Sequence, residues 1–355
     1  YDAVNAIDRR HTVYAVDVKA KPGASIEAAA AVAAYGVLTK LYWFQTPAFD
    51  VALETSLAAI PDGPSKTKGI AVGREVAEKF MILRSKDGSN ASVIYTPKSG
   101  PGVYQLTPPA FAPVVLPHWS GVTPFMLKSA NQFDLPGPPA LNSVEFAKDF
   151  NEVKRLGAKD SSARTRDQTD AARFWTISGV VSDNTVARQL SAQKKLGVVE
   201  NARLFALLNM VGTDAHIACW KAKFRYNHWR PITAIHNADS AGNSAIVADP
   251  AWEPLLPTPA HPEYPAGHTC YDGAIEHVLQ EFSSDKVSFS LTNPAVKVTR
   301  NYQSLSQMRK EVEDARVWGG IHYRTAVVHG TELGHKVADY GLKNYLRPVS
   351  PSAGK

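Results

Sequence analysis

Hydrophobic positions recur with a helical period over most of the chain. Tyr1 to Ile7 (YDAVNAI) is an amphipathic helical phrase, and Ser25 can cap an Ala- and Leu-rich helix from Glu27 to about Tyr42. Further helical patterns cover 46–60 and 66–84. Ser143 can cap a helix with Phe146, Phe150 and Val153 on one face, and helical spacing returns at 163–175, 183–196 and 199–224. Pro231 is expected to end that helical section at Arg230. A helix starting near Thr269 carries Ile275, Val278, Leu279 and Phe282 at i, i+3, i+4 and i+7. Two more fall near 303–318 and 322–345, separated by Gly319-Gly320, while strand-like alternation is confined to Val287–Leu291. The pattern predicts an all-α fold: one compact helical-bundle domain over 1–355, with N-terminal helices in 1–85, a long ordered loop in 86–142 and further helices in 143–345.

Two stretches break the period. Residues 86–142 gather Pro, Gly and Ser but hold too many apolar residues for disorder, so they are expected to be an ordered excursion packed on the helices and able to cover a site. Residues 237–266 form a second Pro-rich loop.

Composition narrows the function. The chain has 355 residues, 44% hydrophobic and 20% charged, enough for a sizeable core. Its best apolar run, Ala28 to Leu38, is eleven residues long, whereas a membrane span needs roughly 20; no span is expected. The net charge is +6, but the basic residues are scattered and form no basic run, so nucleic acid is not an expected partner. A few cations focused on a small anion fit better. Cys219 and Cys270 are too few for a disulfide framework and make no CxxC pattern; buried free thiols are expected rather than a disulfide. The chain opens on Tyr1, so an upstream segment, with any signal peptide, is expected to have been lost; the compartment stays open, leaning towards a secreted or periplasmic protein.

Eight of the eleven histidines lie between His216 and His329, and three segments there can carry chemistry. Lys223 and Arg230 are seven apart and on one helix would face nearly the same way. Pro265-Ala266-Gly267-His268 directly precedes a helix, whose first N–H groups lack internal partners and attract anions; Gly267 allows close approach. Arg316 and His322 are six apart; on a continuous helix they would point about 240° apart, and Gly319-Gly320 can re-aim them towards one point. Three fixed cations, a backbone donor and two imidazoles suit a tetrahedral oxyanion. One histidine can act as nucleophile or metal ligand and the other as acid/base. No carboxylate pair accompanies them, which argues against a Mg²⁺ or Ca²⁺ site. His216, His228, His236 and Trp229 read as structural, and Trp220 as core or pocket wall.

Here a resemblance enters. Lys-x6-Arg-Pro, then Pro-Ser-Gly-His, then Ser-Arg-x5-His is the signature shared by vanadium-dependent haloperoxidases and type-2 phosphatidic acid phosphatases. This chain reads Lys223-x6-Arg230-Pro231, Pro265-Ala266-Gly267-His268 and Ala315-Arg316-x5-His322. It resembles the haloperoxidases more closely, also through Tyr1 to Ile7, the TPP/PHW/VTPF loop, Arg164-Thr165 to Phe174-Trp175, and Gly320 to Arg324. The resemblance implies a helical bundle holding vanadate, with phosphate able to occupy the same place. It implies that His322 binds vanadium, that Lys223, Arg230, Arg316 and the Gly267 N–H hold equatorial oxygens, and that His268 contacts the apical oxygen and manages protons. His268, His322 and Lys223 would be catalytic, Lys223 polarising bound peroxide. The implied partners are hydrogen peroxide, a halide oxidised to hypohalous acid, and a small organic acceptor; a homo-oligomer is compatible with it.

Several positions depart from the family. Ala266 replaces a serine that donates to the oxyanion, a loss of about 0.5–1.5 kcal/mol. Ala315 replaces the serine before Arg316, and Ala326 stands where many relatives, and the phosphatases, carry an Asp that orients the histidine. Ser178, after Trp175, stands where fungal chloroperoxidases carry an acidic residue, and His261 leans the halide towards bromide or iodide. Trp175, Ser178, Trp220 and His261 are the expected pocket residues. Two alternatives stay open: a phosphatase using His322 as nucleophile and His268 as leaving-group acid, and a non-catalytic oxyanion binder.

Overall fold

Capping residues start the helices where the pattern places them. Ser25 accepts from the Ala28 N–H, Ser143 from the Phe146 N–H, and Thr165 forms a reciprocal capping box with Gln168. The computed structural model describes residues 1–349, and these are mostly helical. The first helices are α1 (Asp2–Asp8), α2 (Ile26–Leu41), α3 (Thr46–Ala58), α4 (Pro64–Arg84), α5 (Val144–Gly157) and α6 (Arg166–Phe174). Then come α7 (Gly179–Lys194), α8 (Val198–Tyr226), α9 (Pro231–His236) and α10 (Gly267–Phe282). A hairpin of β1 (Phe289–Asn293) and β2 (Val298–Tyr302) precedes α11 (Leu305–Trp318) and α12 (Arg324–Asn344).

The chain divides into two units. The first holds 1–87, 191–207 and the chain from 341 onward. Within it α2 and α4 run parallel with their backbones almost touching: a Cβ on Gly69 would meet the Ser25 carbonyl at 2.3 Å and one on Gly73 the Ala29 carbonyl at 2.5 Å. Ala3, Ala6, Val16, Val18, Val72 and Val76 form its core. The Asp2 carboxylate accepts from the N–H groups of Tyr14, Ala15 and Val16 and folds the segment after α1 onto it.

The second unit holds 88–190 and 208–340. Its core gathers Phe146, Phe150 and Val153 of α5 with Trp229, Ile232, Ile235, Trp252, Val317, Tyr323 and Val327. The hairpin is antiparallel with Phe289 opposite Tyr302, their rings stacked at 5.4 Å. Its second strand, VTRNY, was not legible, because its outward positions are polar and its inward ones mix Val298 and the charged Arg300 with the buried Tyr302. Helix α7 starts at Gly179, four residues before the expected 183.

The long loop is ordered and pinned at several points. The Asp214 carboxylate of α8 accepts from the N–H groups of Phe125, Met126 and Leu127 at 2.6–2.8 Å. Tyr104 N–H donates to the Asn227 carbonyl (2.8 Å), Trp229 N–H to Gly102 (3.0 Å) and Val115 N–H to Ala260 (2.9 Å). The bonds to Asn227 and from Trp229 strap down the segment between α8 and α9. That segment corrects one expectation: α8 stops at Tyr226, Asn227 takes a left-handed conformation (φ 47°), and Pro231 begins a new helix instead of ending the old one. Lys223 and Arg230 therefore do not share a helix face.

The α11–α12 turn is clamped by Arg164, whose guanidinium donates to the carbonyls of Leu156, Ala158, Lys159 and Trp318. Gly320 sits in this turn at φ +75°, and a Cβ there would lie 2.4 Å from the Gly157 carbonyl oxygen. Gly320→Ala therefore combines left-handed strain with a backbone clash and should lower unfolding free energy by about 2–4 kcal/mol. Denaturant titration checks this; a loss well under about 1 kcal/mol would contradict the turn's role.

Candidate functional site

The three sequence segments meet at a cavity of about 260 Å³ in the second unit. Ser178, Trp220, His261, Gly267, His268, Arg316 and His322 line it, joined by His216, Tyr271 and Asp272. Arg316 comes from the last turn of α11, His322 from the turn after Gly320, and Gly267-His268 from the first turn of α10. Ala266 is the N-cap of α10 and gives no side-chain cap, so that end of α10 keeps its anion-attracting N–H groups. Gly267 is tight: a Cβ there would lie 3.2 Å from the Trp220 ring.

Not every expected residue faces the cavity. Lys223 is fully buried behind it, and its ammonium donates to the carbonyls of Pro262 (2.9 Å), Glu263 (2.9 Å) and Pro265 (2.5 Å). An ammonium has three donors, so Lys223 spends them all on the turn that carries Gly267. Arg230 also lies behind the wall. It donates from Nε to the His261 carbonyl and from Nη1 to Ile321, and its Nη1 and Nη2 reach His322 Nε2 (3.2 Å) and His261 Nδ1 (3.0 Å). Trp175 does not line the cavity; its indole donates to Glu311 and its carbonyl anchors Arg316 Nη1. Ala266 is fully buried. Cys219 and Cys270 are free and buried.

Two acidic features escaped the sequence reading. Glu263 lies under His322, with Oε1 at 2.8 Å from Nδ1, and Asp183 with Asp272 form a buried pair beside Arg316. Glu263 lies in the Pro-rich 237–266 loop, two residues from His261. Asp183 and Asp272 are 89 apart in sequence and no spacing rule joins them.

Electrostatically the pocket is short of negative charge. Burial, aided by neighbouring cations, pushes His261, His268 and His322 well below the usual imidazole range and His216 to about 4, so all four are neutral near pH 7. Burial lowers Arg230 and Arg316 to about 10 and Lys223 to about 8, and raises Glu263 to about 8. Arg316 Nε, His268 Nε2 and Trp220 Nε1 are buried without a partner. The guanidinium and indole N–H groups call for an acceptor, and a compact oxyanion supplies one.

The fold has clear relatives. The chain aligns with a bacterial vanadium-dependent iodoperoxidase at 27% identity and TM-score 0.85, covering 99% of this chain and 89% of that one. Residues 203–351 match the model of the second helical-bundle domain of vanadium chloroperoxidase. The chain is similar to the vanadium haloperoxidases in fold and across this second helical bundle. The vanadium chloroperoxidase of Curvularia inaequalis is 24% identical in a 291-residue alignment that covers 67% of this chain and 47% of that protein; the chain spans about half its length. A bacterial vanadium-dependent chloroperoxidase has the same fold (TM-score 0.76, 18% identity, 96% and 89% covered).

In this pocket Lys223 has its folded pKa below its ordinary value. Between about 8 and that value the folded chain binds fewer protons than the unfolded one, so the cost of burying the charge is relieved as pH rises. Anion affinity moves the other way. Lys223 loses its charge through about 8 while Glu263 gains one over the same range, with Arg230 staying charged. Sulfate affinity by calorimetry should fall about tenfold or more from pH 7 to 9, and much less in Lys223→Met. A flat native profile would contradict this assignment.

Proposed function

We propose that the chain is a vanadate-dependent haloperoxidase that oxidises halide with hydrogen peroxide to hypohalous acid. One observation carries the reading: Arg316 lines a cavity where its Nε and His268 Nε2 lack partners, next to a neutral His322, with the buried charges of Lys223 and Arg230 just behind the wall. That donor set fits vanadate. His322 Nε2 would hold the metal, and Arg230, Arg316 and the Gly267 N–H would hold its oxygens. Bound vanadate would supply Lewis acidity that activates peroxide without a change of oxidation state.

The residues do the rest. Lys223 contributes its charge through the 262–265 turn and holds Gly267 in place. The neutral His268 accepts a proton from incoming peroxide at Nε2 and returns it to the departing oxygen. The balance is H₂O₂ + X⁻ + H⁺ giving HOX + H₂O. Ser178, Trp220 and His261 border the space for halide, and a small organic acceptor takes the product oxidant. His261 and the likeness to an iodoperoxidase favour iodide or bromide.

Purified chain loaded with vanadate should halogenate a phenolic dye with peroxide and iodide or bromide; confirmed loading without halogenation refutes the reading. Arg316→Ala removes a desolvated charge and should weaken vanadate about 30-fold or more. Ala266→Ser should restore a donor and tighten vanadate about 2–10-fold; no gain by calorimetry would show that the serine has no role in this pocket.

A phosphomonoesterase is the second reading, favoured by the carboxyl group on His322 Nδ1. It requires hydrolysis of an aryl phosphate that vanadate inhibits and His322→Ala abolishes.

A further inference from the structure

His322 is held in one orientation by a residue that the motif does not include. Its Nδ1 lies 2.8 Å from Glu263 Oε1, and the Tyr323 N–H donates to the same oxygen at 3.0 Å. Its Nε2 faces Arg230 Nη1 at 3.2 Å. A guanidinium only donates, so Nε2 presents its lone pair and the ring proton sits on Nδ1, donated to Glu263. This is the tautomer in which Nε2 can bind a metal or attack an electrophile.

Glu263 is well placed to enforce it. The residue is fully buried, and its carbonyl is tied to Lys223 Nζ. The resemblance noted above places an orienting Asp at position 326 of α12, where Ala326 offers no carboxylate. Ala326 and Glu263 border one small cavity together with Asp149 and Tyr323. We propose that Glu263 is the positioning residue for His322, supplying from the 261–268 loop the hydrogen bond that an acid at 326 would supply from α12. The ligand-binding arm of the test rests on the oxyanion reading of the pocket; the tautomer arm does not.

The experiment is ¹⁵N–¹H NMR of the ligand-free chain with labelled histidine, His322 being assigned by difference with His322→Gln, beside vanadate titration by calorimetry. The native chain should show His322 protonated at Nδ1. Glu263→Ala should lose that signal and weaken vanadate about 10–100-fold. Glu263→Ala with Ala326→Asp should regain the tautomer and most of the affinity, which a merely structural role for Glu263 would not allow. Glu263→Asp, one methylene short, should lose the Nδ1 proton as well and decides the matter if the alanine variant does not fold. A folded Glu263→Ala or Glu263→Asp that keeps the native tautomer overturns the proposal, as does a double variant that regains neither property. If the native chain binds no vanadate, the oxyanion reading fails while the tautomer result still judges Glu263.

Discussion

Lys223 and Arg230 are wholly removed from solvent and Arg316 is 3% exposed, all around one cavity. Taking a charge out of water costs several kcal/mol even after relaxation, and like charges brought together add to that. The chain meets the cost with aimed carbonyls: three on Lys223, those of His261 and Ile321 on Arg230, and that of Trp175 on Arg316. Carbonyl dipoles solvate a cation without cancelling its charge. The pocket therefore stays electropositive and its histidines stay neutral, which is the electrostatic condition for holding a multiply charged oxyanion.

The surrounding architecture keeps those donors from relaxing. Arg230 is pre-aimed because residues 227–229 are strapped to 102–104 of the long loop. His322 is pre-aimed because Gly320 permits a turn that no β-carbon would tolerate, with Glu263 and Asp149 accepting from the Tyr323 and Thr325 N–H groups just beyond it. Arg164 ties the same turn to the end of α5. The site is thus rigid at its cations and imidazoles and permissive where family positions differ, at Ala266, Ser178 and Ala326.

Most helix positions, several caps, the ordered nature of the long loop and the three motif segments were legible in the sequence, while α9 was not. These features are local: apolar period, capping residues and glycine breaks act within a few residues. The segments that border the cavity were legible too, through Gly267, His268, Arg316 and His322.

The tertiary structure decided the rest. It took Arg230 off the helix of Lys223, committed Lys223 to backbone carbonyls, set Glu263 against His322 and paired Asp183 with Asp272. It also turned Trp175 away from the cavity, leaving only its carbonyl to serve the site. Each of these joins residues about 40 to 140 positions apart, or depends on which face of a carbonyl or ring a neighbour covers. Such contacts are fixed by chain packing, and the desolvation that shifts every titrating group in the pocket exists only once that packing is complete.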